Sequence, residues 1–206
     1  MSNHYPDETV SHALNIKHPH GAPRLIGLSG YARSGKDTTG EVISHLFGHE
    51  HASFAAALKE FALEIDPILD ITNSDVTRLS RLSRVVDAHG WEEAKGDPEV
   101  RRLLQVIGTK VREYFGANVW VNKALQSLAP FPTSYVFTDV RFPNEADAIN
   151  ALGGRVFRVT RPGVEPINGH ISEHAMDDYY FDGYIENDGT LLDLQAEVMS
   201  VMGVFV

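Results

Sequence analysis

A glycine-spaced loop between an apolar run and a helix-forming stretch is the feature that most limits how this chain can fold. Residues 24–29, Arg-Leu-Ile-Gly-Leu-Ser, read as a short buried strand. Residues 36–47 carry Val42, Ile43 and Leu46 at helical spacing. Between them, Gly30-Tyr31-Ala32-Arg33-Ser34-Gly35-Lys36 fits the pattern G-x-x-x-x-G-K. Glycines at these positions let the backbone curl until successive N–H groups point inward at an anion. The helix N-terminus adds favourable potential, and Lys36 is long enough to reach distal phosphates. A Gly-rich turn with an incidental lysine is the alternative, and the register of strand, loop and helix argues against it.

The rest of the chain continues the alternation. A short extended piece at 52–54 precedes a helix over 56–65 with Leu58, Phe61, Ala62 and Ile65 on one stripe. Val76, Leu79, Leu82, Val85 and Val86 recur at three and four, which predicts a helix over 76–86 with Arg78, Arg81 and Arg84 as a basic stripe. That stripe reads as a solvated face or as a contact to nucleotide. Further helices are expected from Pro98 to Tyr114 and over 120–128. A buried strand at 134–138 leads to a helix over 144–152. A strand at 155–160, a Pro- and Gly-containing loop at 161–174, a short strand at 184–185 and a helix over 191–201 complete the pattern. Such alternation predicts a three-layer α/β fold around a mostly parallel sheet, with a helical insert between strands. Residues 1–23 show no periodic apolar pattern and read as a flexible extension ahead of one domain at 24–206.

Composition narrows the function. Lys and Arg number 18 against 28 Asp and Glu, a formal charge of −10, which repels a nucleic-acid backbone. The absence of cysteine excludes disulfides, thiolate metal sites and a Cys nucleophile. No apolar run approaches the roughly 20 residues that cross a bilayer, and the N-terminus lacks the apolar core of a secretory signal, so no membrane partner is expected. These features point to a soluble cytoplasmic protein. His4, His12, His18 and His20 in the extension, and His45 and His49 in the first helix, lack the further ligands that a metal site needs.

The glycine loop is one of several segments that together resemble the phage-type deoxynucleoside monophosphate kinases, within the P-loop kinase superfamily. The others are Phe54 with Leu58-Lys59-Glu60; Gly90-Trp91; the run from Pro98 through Gln105 with Gly108-Thr109; Trp120-Val121; Thr138-Asp139-Val140-Arg141-Phe142-Pro143-Asn144-Glu145; Ser172-Glu173; and Asn187-Asp188-Gly189-Thr190. Ala55-Ala56-Ala57 stands where the family often has Ala-Asp-Pro. The resemblance implies a P-loop kinase fold with a helical acceptor-binding region at 55–130 and a lid at 161–174. It implies transfer of the γ-phosphoryl group of ATP to a deoxynucleoside monophosphate, with Mg²⁺ required, and it points to a homodimer, in the host cytoplasm if the chain is phage-encoded.

Phosphoryl transfer needs in-line positioning and positive charge around the equatorial oxygens. On this reading Gly30, Ala32, Arg33, Ser34, Gly35, Lys36, Asp37 and Thr38 bind ATP, and Lys36 stabilises the transferring group. Arg141, two residues beyond a strand expected to end beside the loop, clamps the acceptor phosphate or the migrating group. Asp139 positions magnesium-bound water, hydrogen-bonds the acceptor sugar, or caps the strand end. The residue after Lys36 is Asp37 rather than Ser or Thr, and Thr38 follows. The displaced hydroxyl matches adenylate-kinase-type enzymes, in which metal is held largely through water; Asp37 holds such a water or caps the helix. By matched position, Lys59, Arg101, Gly108, Thr109, Trp120 and Glu145 bind the acceptor. Trp120 offers a stacking face or is a core aromatic, Arg101 or its neighbour Arg102 faces the site, and Thr109 and Glu145 bind base or sugar or serve as caps. Arg161 is the candidate lid arginine, with a plain surface role as the alternative. Other P-loop kinases, such as those for phosphomevalonate or dephospho-coenzyme A, and an ATPase or switch protein are the competing functions. An arginine at 141, where a hydrolase would use a glutamate, favours transfer to an acceptor.

Overall fold

In a computed structural model, which describes residues 23–73, 76–129, 133–166 and 174–203, the glycine loop lies at the end of the central strand of a parallel sheet. The elements in chain order are β1 (Leu25–Ser29), α1 (Lys36–Phe47), β2 (Glu50–Ala52), α2 (Phe54–Ile65), β3 (Ile68–Asn73), β4 (Val76–Arg81), α3 (Leu82–Ala94), α4 (Pro98–Phe115) and α5 (Val119–Gln126). They continue with β5 (Tyr135–Phe137), α6 (Pro143–Ala151), β6 (Arg155–Thr160), β7 (Gly183–Glu186) and α7 (Leu191–Val201). The described residues divide into two units, one running to Phe54 and resuming at Ala124, the other spanning Ala55–Lys123. The expected extension at 1–23 lies outside the described residues except for Pro23.

The first unit holds the sheet, in the order β2-β5-β1-β6-β7, with every pairing parallel. Every residue of β1 and β5 is buried, so both read as unbroken apolar runs, the signature of strands covered on both faces. Alternation along β1 assigns the two covering layers. Ile26 and Leu28 pack with Val42, Ile43 and Phe47 of α1 and with Leu194 and Val198 of α7. Gly27 faces the other way, where an added Cβ would lie 2.8 Å from Ile149 of α6. This is the expected three-layer α/β arrangement. No helix among the described residues is long and apolar enough to cross a membrane.

The second unit packs helices and a hairpin around Ala57, Ala62, Leu69, Leu82, Val85, Val100, Ile107 and Trp120. Asp97 starts α4 by accepting a hydrogen bond from the Glu99 N–H at 2.8 Å, with Pro98 at the first helical position. The hairpin corrects one sequence expectation. Residues 76–81 are not helical; they form β4, antiparallel to β3 from Ile68↔Arg81 to Asn73↔Val76. The cross-strand ladder joins two segments rich in β-branched residues, and this hairpin pairing overrides the three-and-four pattern. Leu79, one of the apolar residues at that spacing, is 74% exposed, and the helix begins only at the fully buried Leu82. Arg78 and Arg81 belong to a strand and Arg84 to a helix, so the three do not form one stripe. Helix α3 itself is interrupted at Gly90, whose φ of 71° and ψ of 166° are non-helical.

Two outcomes test this packing. Gly154 precedes β6, and an added Cβ would lie 2.6 Å from Ile149 and 2.7 Å from the Leu25 carbonyl oxygen. Gly154→Ala is therefore expected to destabilise the protein by about 1–3 kcal/mol. Gly108→Ala, where the new Cβ meets only Leu58 at 3.4 Å inside α4, should be neutral or stabilising, both variants being compared by urea denaturation. The second outcome concerns Tyr179, whose hydroxyl donates to Asp147 at 3.0 Å and accepts from Asn150 at 3.1 Å. Burial, then the bond to Asp147 and its charge, push the Tyr179 phenol up to about 12. Because the folded value lies above the unfolded one near 10, this contribution to stability is complete below pH 10 and is lost as pH rises through 12. Tyr179→Phe should flatten that alkaline loss in thermal melts.

Candidate active site

The loop after β1 is shaped by contacts that only glycine permits. Gly30 has φ 144°, and an added Cβ would lie 2.3 Å from the Val159 carbonyl oxygen on β6. Gly35 has φ 98°, and its Cβ would lie 2.1 Å from the Asn187 amide nitrogen. Arg33, with φ 70°, is one of two described non-glycine residues in the left-handed region. Alternation of such residues with ordinary ones turns consecutive N–H groups to one side and forms an anion-binding concavity. The Asn187 side chain braces the loop by donating to the Ser34 carbonyl at 3.0 Å, while its own N–H donates to Thr160 O at 2.8 Å. Lys36 Nζ donates to the carbonyls of Gly30 and Tyr31, 2.8 Å each, which holds the ammonium against the concave backbone. The Ser34 hydroxyl is buried without a hydrogen-bond partner among the described residues, an open polar position inside the loop.

An open cleft on this loop is lined by Ser29, Gly30, Tyr31, Ala32, Lys36, Val140, Arg141, Arg158 and Met176. Parallel pairing explains the convergence. β5 lies on one side of β1 and β6 on the other, so the C-terminal ends of three strands meet where the loop begins. Arg141 leaves the end of β5 and is exposed into that opening. Its backbone N–H, with that of Phe142, is held by the buried Glu145 carboxylate at 2.8 and 3.0 Å. Glu145 therefore acts here as the cap of α6, the second of its two expected uses. Asp139 accepts from the Ser53 hydroxyl at 2.7 Å and the Phe54 N–H at 3.1 Å. This ties the end of β5 to the start of α2 and explains why that helix begins at Phe54, ahead of the expected 56.

Asp37 and Thr38 are exposed in the first turn of α1, beside Lys36, whereas the Thr39 hydroxyl turns back to Gly35 O at 2.9 Å. A carboxylate and a free-standing hydroxyl are hard oxygen donors that fit Mg²⁺. No group of three Asp, Glu, His or Cys among the described residues is placed to hold a metal ion. Arg161 lies beyond β6, is exposed, and is not among the cleft-lining residues. Half of the expected lid, residues 167–173, lies outside the described residues.

Lys59, Arg101, Gly108, Thr109 and Trp120 lie in the second unit. Lys59 Nζ sits 5.6 Å from the centre of the Trp91 ring. Arg101 is exposed and donates to Lys95 O at 3.2 Å, while Arg102 is engaged by Glu99 through two 2.7 Å bonds. Of the pair, Arg102 is thus the one fixed to its own helix. Thr109 is exposed. Trp120 is only 5% exposed, donates its indole N–H to Gly108 O at 3.2 Å and packs edge-on to Phe61. It is a core aromatic here, the second of the two uses the sequence left open for it.

Residues that the sequence reading left out of the site also meet at the cleft. Arg158 is one of the residues lining it, and Tyr31 and Asp177 are bonded to Arg158 and to each other. Asn187 was legible only as part of a matched segment. Burial works against the Asp177 carboxylate, but hydrogen bonds from Arg158, His174 and Tyr31 outweigh it and hold its pKa below the usual range. Burial and the neighbouring Asp177 push the Tyr31 phenol up.

Comparison with known proteins bears on the same chemistry. Residues 70–198 match the family model described as deoxynucleotide monophosphate kinase. The deoxynucleotide monophosphate kinase of Enterobacteria phage T4 is 28% identical over 88% of this chain and 99% of its own length. The enzyme of the same name from Escherichia phage RB69 is 32% identical over 50% of this chain and 44% of its own. Among solved structures, dephospho-CoA kinase from Campylobacter jejuni is 13% identical, with a TM-score of 0.42 over 87% of this chain and 96% of that one. The family match takes in the second unit from residue 70 onward together with β5, α6, β6 and β7, and the T4 relative extends the likeness over most of the chain. The chain therefore belongs to the deoxynucleotide monophosphate kinase family.

Proposed function

We propose that this protein transfers the γ-phosphoryl group of ATP to a deoxynucleoside monophosphate, releasing ADP and the deoxynucleoside diphosphate. The observation that carries the reading is the meeting of Lys36 and Arg141 in one cleft over a loop whose close packing at Gly30 and Gly35 only glycine allows. A phosphate oxygen of the acceptor attacks the γ-phosphorus, and the bond to the β,γ-bridging oxygen breaks as ADP leaves. Charge builds on the equatorial and bridging oxygens during this exchange, so fixed cations are the main help a protein can give. Loop N–H groups and Lys36 hold the β- and γ-phosphates. Arg141, its backbone pinned by Glu145, presents a planar fork that suits two oxygens at once. Glu145 is thus a positioning residue.

Asp139 fixes the end of β5 and carries charge at the edge of the site. Magnesium, held near Asp37 and Thr38, would neutralise charge on the β- and γ-phosphates. Residues 55–130 are proposed to bind the acceptor, with Lys59 and Arg101 as sources of positive charge and Gly108 and Thr109 on the same helix. The segment 161–174 with Arg161 is proposed to cover ATP and exclude water, which favours transfer over hydrolysis.

A coupled assay of ADP release with Mg-ATP and each nucleoside monophosphate, in deoxy and ribo forms, tests this. Turnover should require a deoxynucleoside monophosphate. Lys36→Ala and Arg141→Ala should each lower kcat on the order of 100-fold or more, and Arg141→Lys should recover only part, since an ammonium cannot span two oxygens. ADP release that ignores every acceptor would sink the kinase reading in favour of an ATPase.

A further inference from the structure

Arg158 has a setting that a surface arginine lacks. It pairs in register with Ser29, the last residue of β1, so its side chain starts level with the beginning of the glycine loop. The side chain is only 12% exposed and lines the cleft with Lys36 and Arg141. Nη1 donates to Met176 O and Nη2 to Asp177 Oδ1, both at 2.9 Å, while the guanidinium lies 4.9 Å from the centre of the Tyr31 ring. Tyr31 belongs to the loop, and its hydroxyl donates to the same Asp177 oxygen at 2.9 Å. The other Asp177 oxygen pairs with His174 Nδ1 at 3.0 Å. One carboxylate is therefore shared by three donors, and the guanidinium fork keeps N–H groups beyond the two that Met176 and Asp177 take. Three cations, on α1, at the end of β5 and on β6, converge on a single opening in a chain of charge −10. A polyanion entering this opening would meet all three.

We propose that Arg158 is a further phosphate-binding residue of this site, its guanidinium clamped by the Tyr31 ring and the Asp177 carboxylate so that its remaining donors meet phosphoryl oxygens held in the glycine loop. Asp177 is its positioning residue. The clamp orients the fork in advance, so less side-chain freedom is lost when phosphate binds. The proposal rests on reading the cleft as the nucleotide site.

The test is calorimetric titration of the full chain with inorganic triphosphate, which isolates phosphate recognition from the base and sugar. Arg158→Ala should weaken binding on the order of 10- to 100-fold, the worth of charge-assisted hydrogen bonds. Arg158→Lys should weaken it less, and it serves alone if the alanine variant does not fold. Added guanidinium ion should restore part of the loss in Arg158→Ala. Asp177→Asn should weaken triphosphate binding in the natural background and cost nothing further beside Arg158→Ala, because it acts through that arginine. Lys36→Ala separates the two possible failures. If it loses triphosphate while the Arg158 variants bind like the unaltered protein, Arg158 is only a brace and the proposal is overturned. If neither position matters, the nucleotide reading of the cleft falls, and this proposal with it.

Discussion

β1 runs between β5 and β6 in parallel, and the remaining features of the site depend on that pairing. Parallel neighbours end at the same edge of the sheet, so the loop leaving β1 is met there by whatever follows β5 and by the last residues of β6. Lys36, Arg141 and Arg158 are far apart along the chain and become neighbours in one cleft for that reason. The loop then has to pass so close to β6 that Gly30 abuts the Val159 carbonyl, and so close to the segment after β7 that Gly35 abuts Asn187. The glycines are demanded by the packing of the loop as much as by the anion it can hold.

Each cation of the cleft has a partner that limits where it can go. Backbone carbonyls hold Lys36, Glu145 fixes the backbone from which Arg141 projects, and Asp177 with Tyr31 clamps Arg158. Fixing positive groups before reaction is the physical basis of electrostatic stabilisation in phosphoryl transfer, since no reorganisation is then needed as charge develops. An acidic surface elsewhere leaves this opening as a local exception to the overall charge.

Much of the fold was legible because its signals are local. The strand, loop and helix from Leu25 to Phe47, the helices α4 and α7 and the strand β6 follow from apolar period, proline and glycine placement and capping residues. The hairpin was not legible, because Val76, Leu79 and Leu82 mimic a helical stripe and only the partner strand Ile68–Asn73 reveals the ladder. Arg141 was readable from its distance past a predicted strand. Arg158 was not singled out, since its value depends on standing opposite Ser29, and Arg161, three residues on, looked equally suitable. Trp120 shows the converse: its type suited a base platform, and burial against Phe61 and Gly108 gave it to the core.

By itself the sequence determined that the chain is an α/β protein with an anion-binding loop, and which residue types could serve phosphoryl chemistry. These depend on short-range preferences and on side-chain chemistry, which each residue carries wherever it lies. Only the tertiary structure decided which cations share the cleft, which carboxylates orient them, and whether Glu145 and Trp120 face a ligand or the interior. Those outcomes depend on strand register and packing between distant segments, and neither is encoded in the spacing of residues along the chain.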